Sequence, residues 1–148
     1  MTRLLPLVAL GLAMACAPTL GQAQSKRLHV IAKVVQQTFT GDLARPKLGD
    51  RLINNAELFD EGGTKVGTGA SVCTIVGEPP LDTLVQCLLS AVFDKGGIIF
   101  GGLAPFPEVD AVGHFSILGG TDRFRKARGD ATLVVLSTGD VDTILELE

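Results

Sequence analysis

Gly119-Gly120-Thr121-Asp122-Arg123-Phe124-Arg125-Lys126-Ala127-Arg128-Gly129 stands between two apolar, strand-like runs. Its paired glycines permit a sharp turn, and a third glycine closes the segment. Phe124 and Ala127 have the look of buried residues, whereas Arg123, Arg125, Lys126 and Arg128 need solvent or a counter-charge. Backbone N–H groups beside arginines could cradle an anion such as phosphate. The simpler reading is architectural: a corner that tucks Phe124 and Ala127 over the end of a core.

Outward from this stretch, the chain is a series of short β-rich runs punctuated by Gly, Pro and Asp, the pattern of an all-β protein. Val112 to Leu118 precedes the stretch. Ala131 to Thr138 and Val141 to Leu147 follow it, divided by Gly139-Asp140. Earlier runs cover Leu28 to Thr38, Arg51 to Phe59, Lys65 to Val76, Thr83 to Phe93 and Ile98 to Leu103. Asp60-Glu61-Gly62-Gly63 and Asp94-Lys95-Gly96-Gly97 read as hairpin turns. Gly41 to Gly49 and Ala104 to Ala111, both containing proline, read as loops, and Gly77-Glu78-Pro79-Pro80 as a break. Strands in mostly hairpin order predict an up-and-down barrel or a sandwich.

Side-chain alternation adds a constraint. Val85, Cys87, Leu89, Ala91 and Phe93 form one apolar face of their run, yet Leu84, Leu88 and Val92 lie on the other face beside Gln86 and Ser90. One apolar face is enough for a monomeric antiparallel barrel. Strands apolar on both faces predict that the outside is also covered, most simply by self-association.

The chain has 148 residues and a formal net charge of −3, and its basic residues do not gather into one long run. Nucleic acid is therefore not an expected partner. Trp and Tyr are absent, so an internal pocket has to be lined by Phe and aliphatic side chains. Arg3 followed by the apolar run Leu4 to Ala17 resembles a secretory signal peptide, with cleavage after Ala23. That run is shorter than the roughly 20 residues of a spanning helix. The expected layout is a signal peptide over 1–23 and one β-domain over 24–148, secreted or periplasmic and without a transmembrane segment after cleavage. The rival layout is a lipoprotein anchored through Cys16.

Beyond the leader only Cys73 and Cys87 remain. In an oxidising compartment such a pair predicts a disulfide. Two buried thiols or one catalytic thiol are the alternatives. His29 and His114 show no metal-ligand spacing to either cysteine, so no metal is expected.

In this arrangement the chain resembles the allene oxide cyclase and dirigent superfamily. The dirigent signature Gly-Gly-Thr-Gly-Lys-Phe-Arg, then Ala-Arg-Gly, is followed in register by Gly119-Gly120-Thr121, Phe124-Arg125 and Ala127-Arg128-Gly129. Lys65-Val66-Gly67 and then Cys73 are similar to a strand of allene oxide cyclases, and Gly49-Asp50, Asn55 and Gly96-Gly97 also fall in place. The resemblance implies an eight-stranded antiparallel up-and-down β-barrel that assembles as a homotrimer and needs no cofactor. It also implies a cavity in which a Glu on the first strand and a Cys on a later one open a fatty-acid epoxide. Cys73 matches that Cys, but Val30 to Val35 contain no carboxylate, so allene oxide cyclisation itself is not expected. The Tyr used by dirigent pockets is missing as well.

What remains is a lumen for a small apolar molecule, with Cys73, Phe93, Phe100 and Phe115 as lining candidates. Shaping a flexible substrate in such a lumen could drive cyclisation or isomerisation without a strong acid or base. A non-catalytic lipophilic carrier or a surface interaction protein is the alternative. Cys73, His114, Asp50 and Glu57 are the weak catalytic candidates: a thiol, a cavity base, and a rim acid/base pair. For the last three, a surface or loop-ordering role is the simpler reading. Gly-x-Ser-x-Gly, His-Glu-x-x-His and phosphate-loop motifs are absent.

Overall fold

A computed structural model describes residues 26–77 and 83–148. The leader, its cleavage point and Cys16 lie outside these residues, as do Glu78, Pro79 and Pro80. The strands are β1 (Lys26–Phe39), β2 (Arg51–Phe59), β3 (Lys65–Ile75), β4 (Leu84–Phe93), β5 (Gly96–Pro105), β6 (Val112–Gly120), β7 (Gly129–Val135) and β8 (Val141–Leu147). Each pairs antiparallel with its neighbours in chain order, and β1 pairs with β8 to close the barrel. Closure removes every sheet edge. It also decides against a sandwich.

β1 serves both sides of the seam. Lys26 to Ala32 run against β8, and Ile31 to Phe39 run against β2. A bulge between Val34 and Gln36 lies on the β2 side. Bulges of this kind bend a strand and increase its twist.

Two glycine pairs that read as turns belong to strands instead. Phe93 pairs with Gly96, so the β4–β5 hairpin closes on Asp94-Lys95 alone. Ile98 pairs with Gly120, which carries β6 up to the corner. β7 begins at Gly129 and ends at Val135, because Leu136 turns away: its N–H donates to the Asp140 carbonyl at 2.9 Å.

The corner itself is a single 3₁₀ turn, Asp122–Phe124. Asp122 adopts a left-handed φ of 49°, a conformation that Asp tolerates better than most residues. Gly120 is required by close approach, since a Cβ there would overlap the Gly97 carbonyl. Phe124 and Ala127 are buried, and the Phe124 ring packs on Phe93 at 5.8 Å between centroids. Ile98, Leu145 and Leu147 belong to the same buried cluster.

Cys73 and Cys87 face each other across β3 and β4 and form a disulfide with a Cα–Cα distance of 4.0 Å. The bridge joins positions 14 apart in sequence. Closing a loop of that length contributes roughly 3 kcal/mol in the chain-entropy account.

Candidate functional site

Alternation along the strands decides which side chains reach the lumen. On β2 these are Leu52, Asn54, Ala56 and Leu58; on β3, Gly69, Ser71 and Cys73; on β4, Val85, Cys87, Leu89 and Ala91. Small residues at several of these positions leave space unfilled. The result is two adjoining cavities of about 70 Å³ and about 80 Å³. Leu89 and Leu133 border both, together with Asn54, Ser71 and Val141. An apolar cavity of about 150 Å³ accepts benzene, so each compartment alone is small and the two together approach ligand size.

The first cavity is walled by Val30, Ala32, Leu58, Phe100 and Thr143. The second is walled by Leu52, Phe115 and both cysteines, and it reaches the loop residues Pro107 and Ala111. None of the described residues lining either cavity carries a charge.

One polar feature stands out in this lining. Asn54 lies opposite Ser71 in the β2–β3 register, and its Nδ2 donates to Ser71 Oγ at 3.3 Å. Its Oδ1 is buried and has no hydrogen-bond partner. Leaving such an acceptor unsatisfied costs about 1–3 kcal/mol. A ligand group that donates a hydrogen bond would recover that cost.

The residues singled out from sequence separate sharply in space. Cys73 lines the second cavity, but its sulfur is bonded to Cys87, so no thiolate is present in this oxidised form. Phe100 lines the first cavity and Phe115 the second, their rings 6.5 Å apart. Phe93 borders neither, because the corner brings Phe124 against it. His114 points outward from β6, with Thr132 Oγ1 3.4 Å from its Nδ1. Asp50 orders the loop before β2, accepting from the Lys47 N–H at 2.9 Å. Glu57 pairs with Lys65 at 2.6 Å on the outer surface. Asp50 precedes β2 and Glu57 lies near its far end, so they form no pair, and neither lines the two lumen cavities.

Sequence reasoning passed over Asn54, although it shares a face with Leu52, Ala56 and Leu58. A polar residue at an apolar parity was the available signal. It also passed over His29 as a partner. His29 Nδ1 bonds Glu61 Oε1 on the β2–β3 turn, and its Nε2 lies 2.6 Å from Asp142 Oδ1 on β8. The hydrogen bond to Glu61, then that to Asp142, raises the imidazole pKa above its ordinary 6.5. Among the described residues, no group of three or more His, Cys, Asp or Glu is placed to hold a metal ion.

No protein-family model matches the chain. Nor does any curated protein match it by sequence. Solved structures do. The structure of a pyocyanin demethylase superposes with a TM-score of 0.73 at 24% identity, covering 83% of this chain and 100% of that one. AbnU, described as an exo-specific intermolecular Diels-Alderase, gives 0.68 at 17% identity, covering 82% and 98%. A nonspecific heme-binding cyclase that catalyses [4 + 2] cycloaddition during neoabyssomicin biosynthesis gives 0.69 at 15% identity, covering 86% and 67%. At these identities the likeness establishes a shared barrel fold.

Proposed function

We propose that this barrel binds a small, largely apolar molecule in its lumen through one hydrogen bond to Asn54, and guides its cyclisation by shape. The observation that carries the reading is the buried, unpartnered Asn54 Oδ1 in a lining whose described residues carry no charge. Ring closure in such a cavity needs no strong acid or base. Confining a flexible chain near its reactive conformation removes much of the entropic barrier. The likeness to two cycloaddition catalysts supports this choice of reaction class.

A carrier without turnover is the second reading, and the uncharged lining favours it. Incubation with linear polyenes bearing a diene, a dienophile and a hydroxyl group separates the two. Product ratios and rates unchanged by the protein, together with retained ligand in native mass spectra, would sink the cyclase and leave the carrier.

The corner signature supports kinship with the allene oxide cyclase and dirigent superfamily. Its epoxide chemistry is not part of the proposal, because the β1 residues at the first cavity are Val30, Ala32 and Val34 and Cys73 is bonded. Export is proposed from the leader-like Arg3 to Ala23, with cleavage after Ala23 rather than lipid attachment at Cys16. The Cys73–Cys87 bridge is compatible with that destination. An intact mass beginning at Gln24 is the expected result for native protein.

A further inference from the structure

The lumen has a waist. Asn54, Ser71 and Leu89 are register partners in one row across β2, β3 and β4. β7 stands opposite β3 in the closed order of strands, so Leu133 meets this row from the far wall. These four residues, with Val141 of β8, border both cavities.

One lobe lies on each side of that belt. The first runs toward the corner end, past Ala56, Leu58 and Ala91. The second runs toward the β5–β6 connection, past Val85, Cys87 and Pro107. Among the described residues the second lobe adds no hydroxyl or amide side chain to those of the waist. The first adds Thr143 and Ser90. Ser90 belongs to the outward parity of β4, and its Oγ donates to the Ala70 carbonyl at 3.5 Å.

The stranded acceptor therefore belongs to the middle of the space and not to either end. Asn54 Nδ2 donates to Ser71 Oγ, while Asn54 Oδ1 is left without a donor. Ser71 Oγ accepts in that contact, which leaves its own proton to donate. A hydroxyl group both donates and accepts, so a single guest oxygen at the waist can serve Asn54 Oδ1 and Ser71 together. A ketone oxygen only accepts, and would leave Oδ1 as it is. A hydroxyl at the end of a chain would be carried into a lobe. Even one that reached Thr143 would leave methylene groups against Oδ1, at the cost of a buried acceptor without a partner.

We infer that the guest is a secondary alcohol, with its hydroxyl at mid-chain and one short apolar arm in each lobe. The inference rests on the lumen-binding reading above and fixes where along the guest its polar atom lies. The two lobes together match the cavity of about 150 Å³ that accepts benzene, which sets arms of about three carbons.

The test is calorimetric titration of the purified full chain with 4-heptanol, 1-heptanol and 4-heptanone. The two alcohols contain the same atoms and differ in where the hydroxyl lies. 4-Heptanol should bind about tenfold more tightly than either of the others, the ratio expected for one recovered hydrogen bond. Asn54→Leu should erase the preference between the two alcohols. Equal binding of the alcohols, or tighter binding of 1-heptanol, overturns the inference and leaves the lumen reading standing. So does a ketone that binds as well as 4-heptanol, or a preference between the alcohols that survives Asn54→Leu. Absence of binding by all three compounds overturns the lumen reading and the inference with it. The wild-type series carries the test if the variant does not fold.

Discussion

Gly97 and Thr121 are tied to each other twice. The Thr121 N–H donates to the Gly97 carbonyl at 2.8 Å, and the Gly97 N–H donates to Thr121 Oγ1 at 2.9 Å. Because Thr121 also accepts from the Phe124 N–H at 2.8 Å, this pair anchors the turn that places Phe124 on Phe93. Thr121→Val keeps the shape and removes only the hydroxyl acceptor. It should cost about 1 kcal/mol, the net worth of one partly exposed hydrogen bond. Urea unfolding of both proteins reads the difference.

Gly129 starts β7 at φ 123°, and a Cβ there would overlap the Glu146 carbonyl of β8. Gly129→Ala should therefore destabilise the barrel by about 2–3 kcal/mol through strain at the β7–β8 seam. Gly139→Ala, at φ 84° with nothing within 4 Å of the new Cβ, should cost less. Equal losses in denaturant would refute the steric account.

His29 makes the folded state more stable in acid. Its folded pKa is raised by the hydrogen bonds to Glu61 and Asp142. The contribution is complete below the unfolded value near 6.5 and is lost as pH rises through the higher folded value. Urea midpoints should fall between about pH 5.5 and about pH 8.5 in the wild type by an amount absent from His29→Gln. A decline of the same size in the variant would assign the effect elsewhere.

Asn54→Leu separates stability from binding. Removing the unpartnered acceptor should leave the empty barrel as stable or more stable by about 1 kcal/mol, since a near-isosteric apolar group replaces a buried polar one. Affinity for a hydroxyl-bearing ligand should fall about tenfold, while its deoxy analogue should bind no worse. Calorimetric titration with the matched pair checks both. Equal losses for the two ligands would remove Asn54 from the binding role.

The strands were readable because alternation and turn residues agree along most of the chain, and Gly119 to Gly129 marked the corner. Cys73–Cys87 was readable because only two cysteines follow the leader. The interior was harder. Asn54 becomes a site residue only once neighbouring inward positions prove too small to fill the lumen, and that depends on rotamers at the scale of single methyl groups. His29 finds partners 32 and 113 residues away, a meeting visible only after barrel closure. His114, Asp50 and Glu57 have chemistry-bearing side chains, but their parity or loop position keeps them outside the wall.

Leu89 and Leu133 stand between the two cavities, on strands β4 and β7 that share no register. Neither belongs to the corner, the disulfide or the β1–β8 seam. The barrel can therefore acquire a longer or wider guest by trimming these two side chains while the residues that keep it closed stay as they are. Ligand range and scaffold integrity are separately adjustable in this protein, and two leucines are the adjustment.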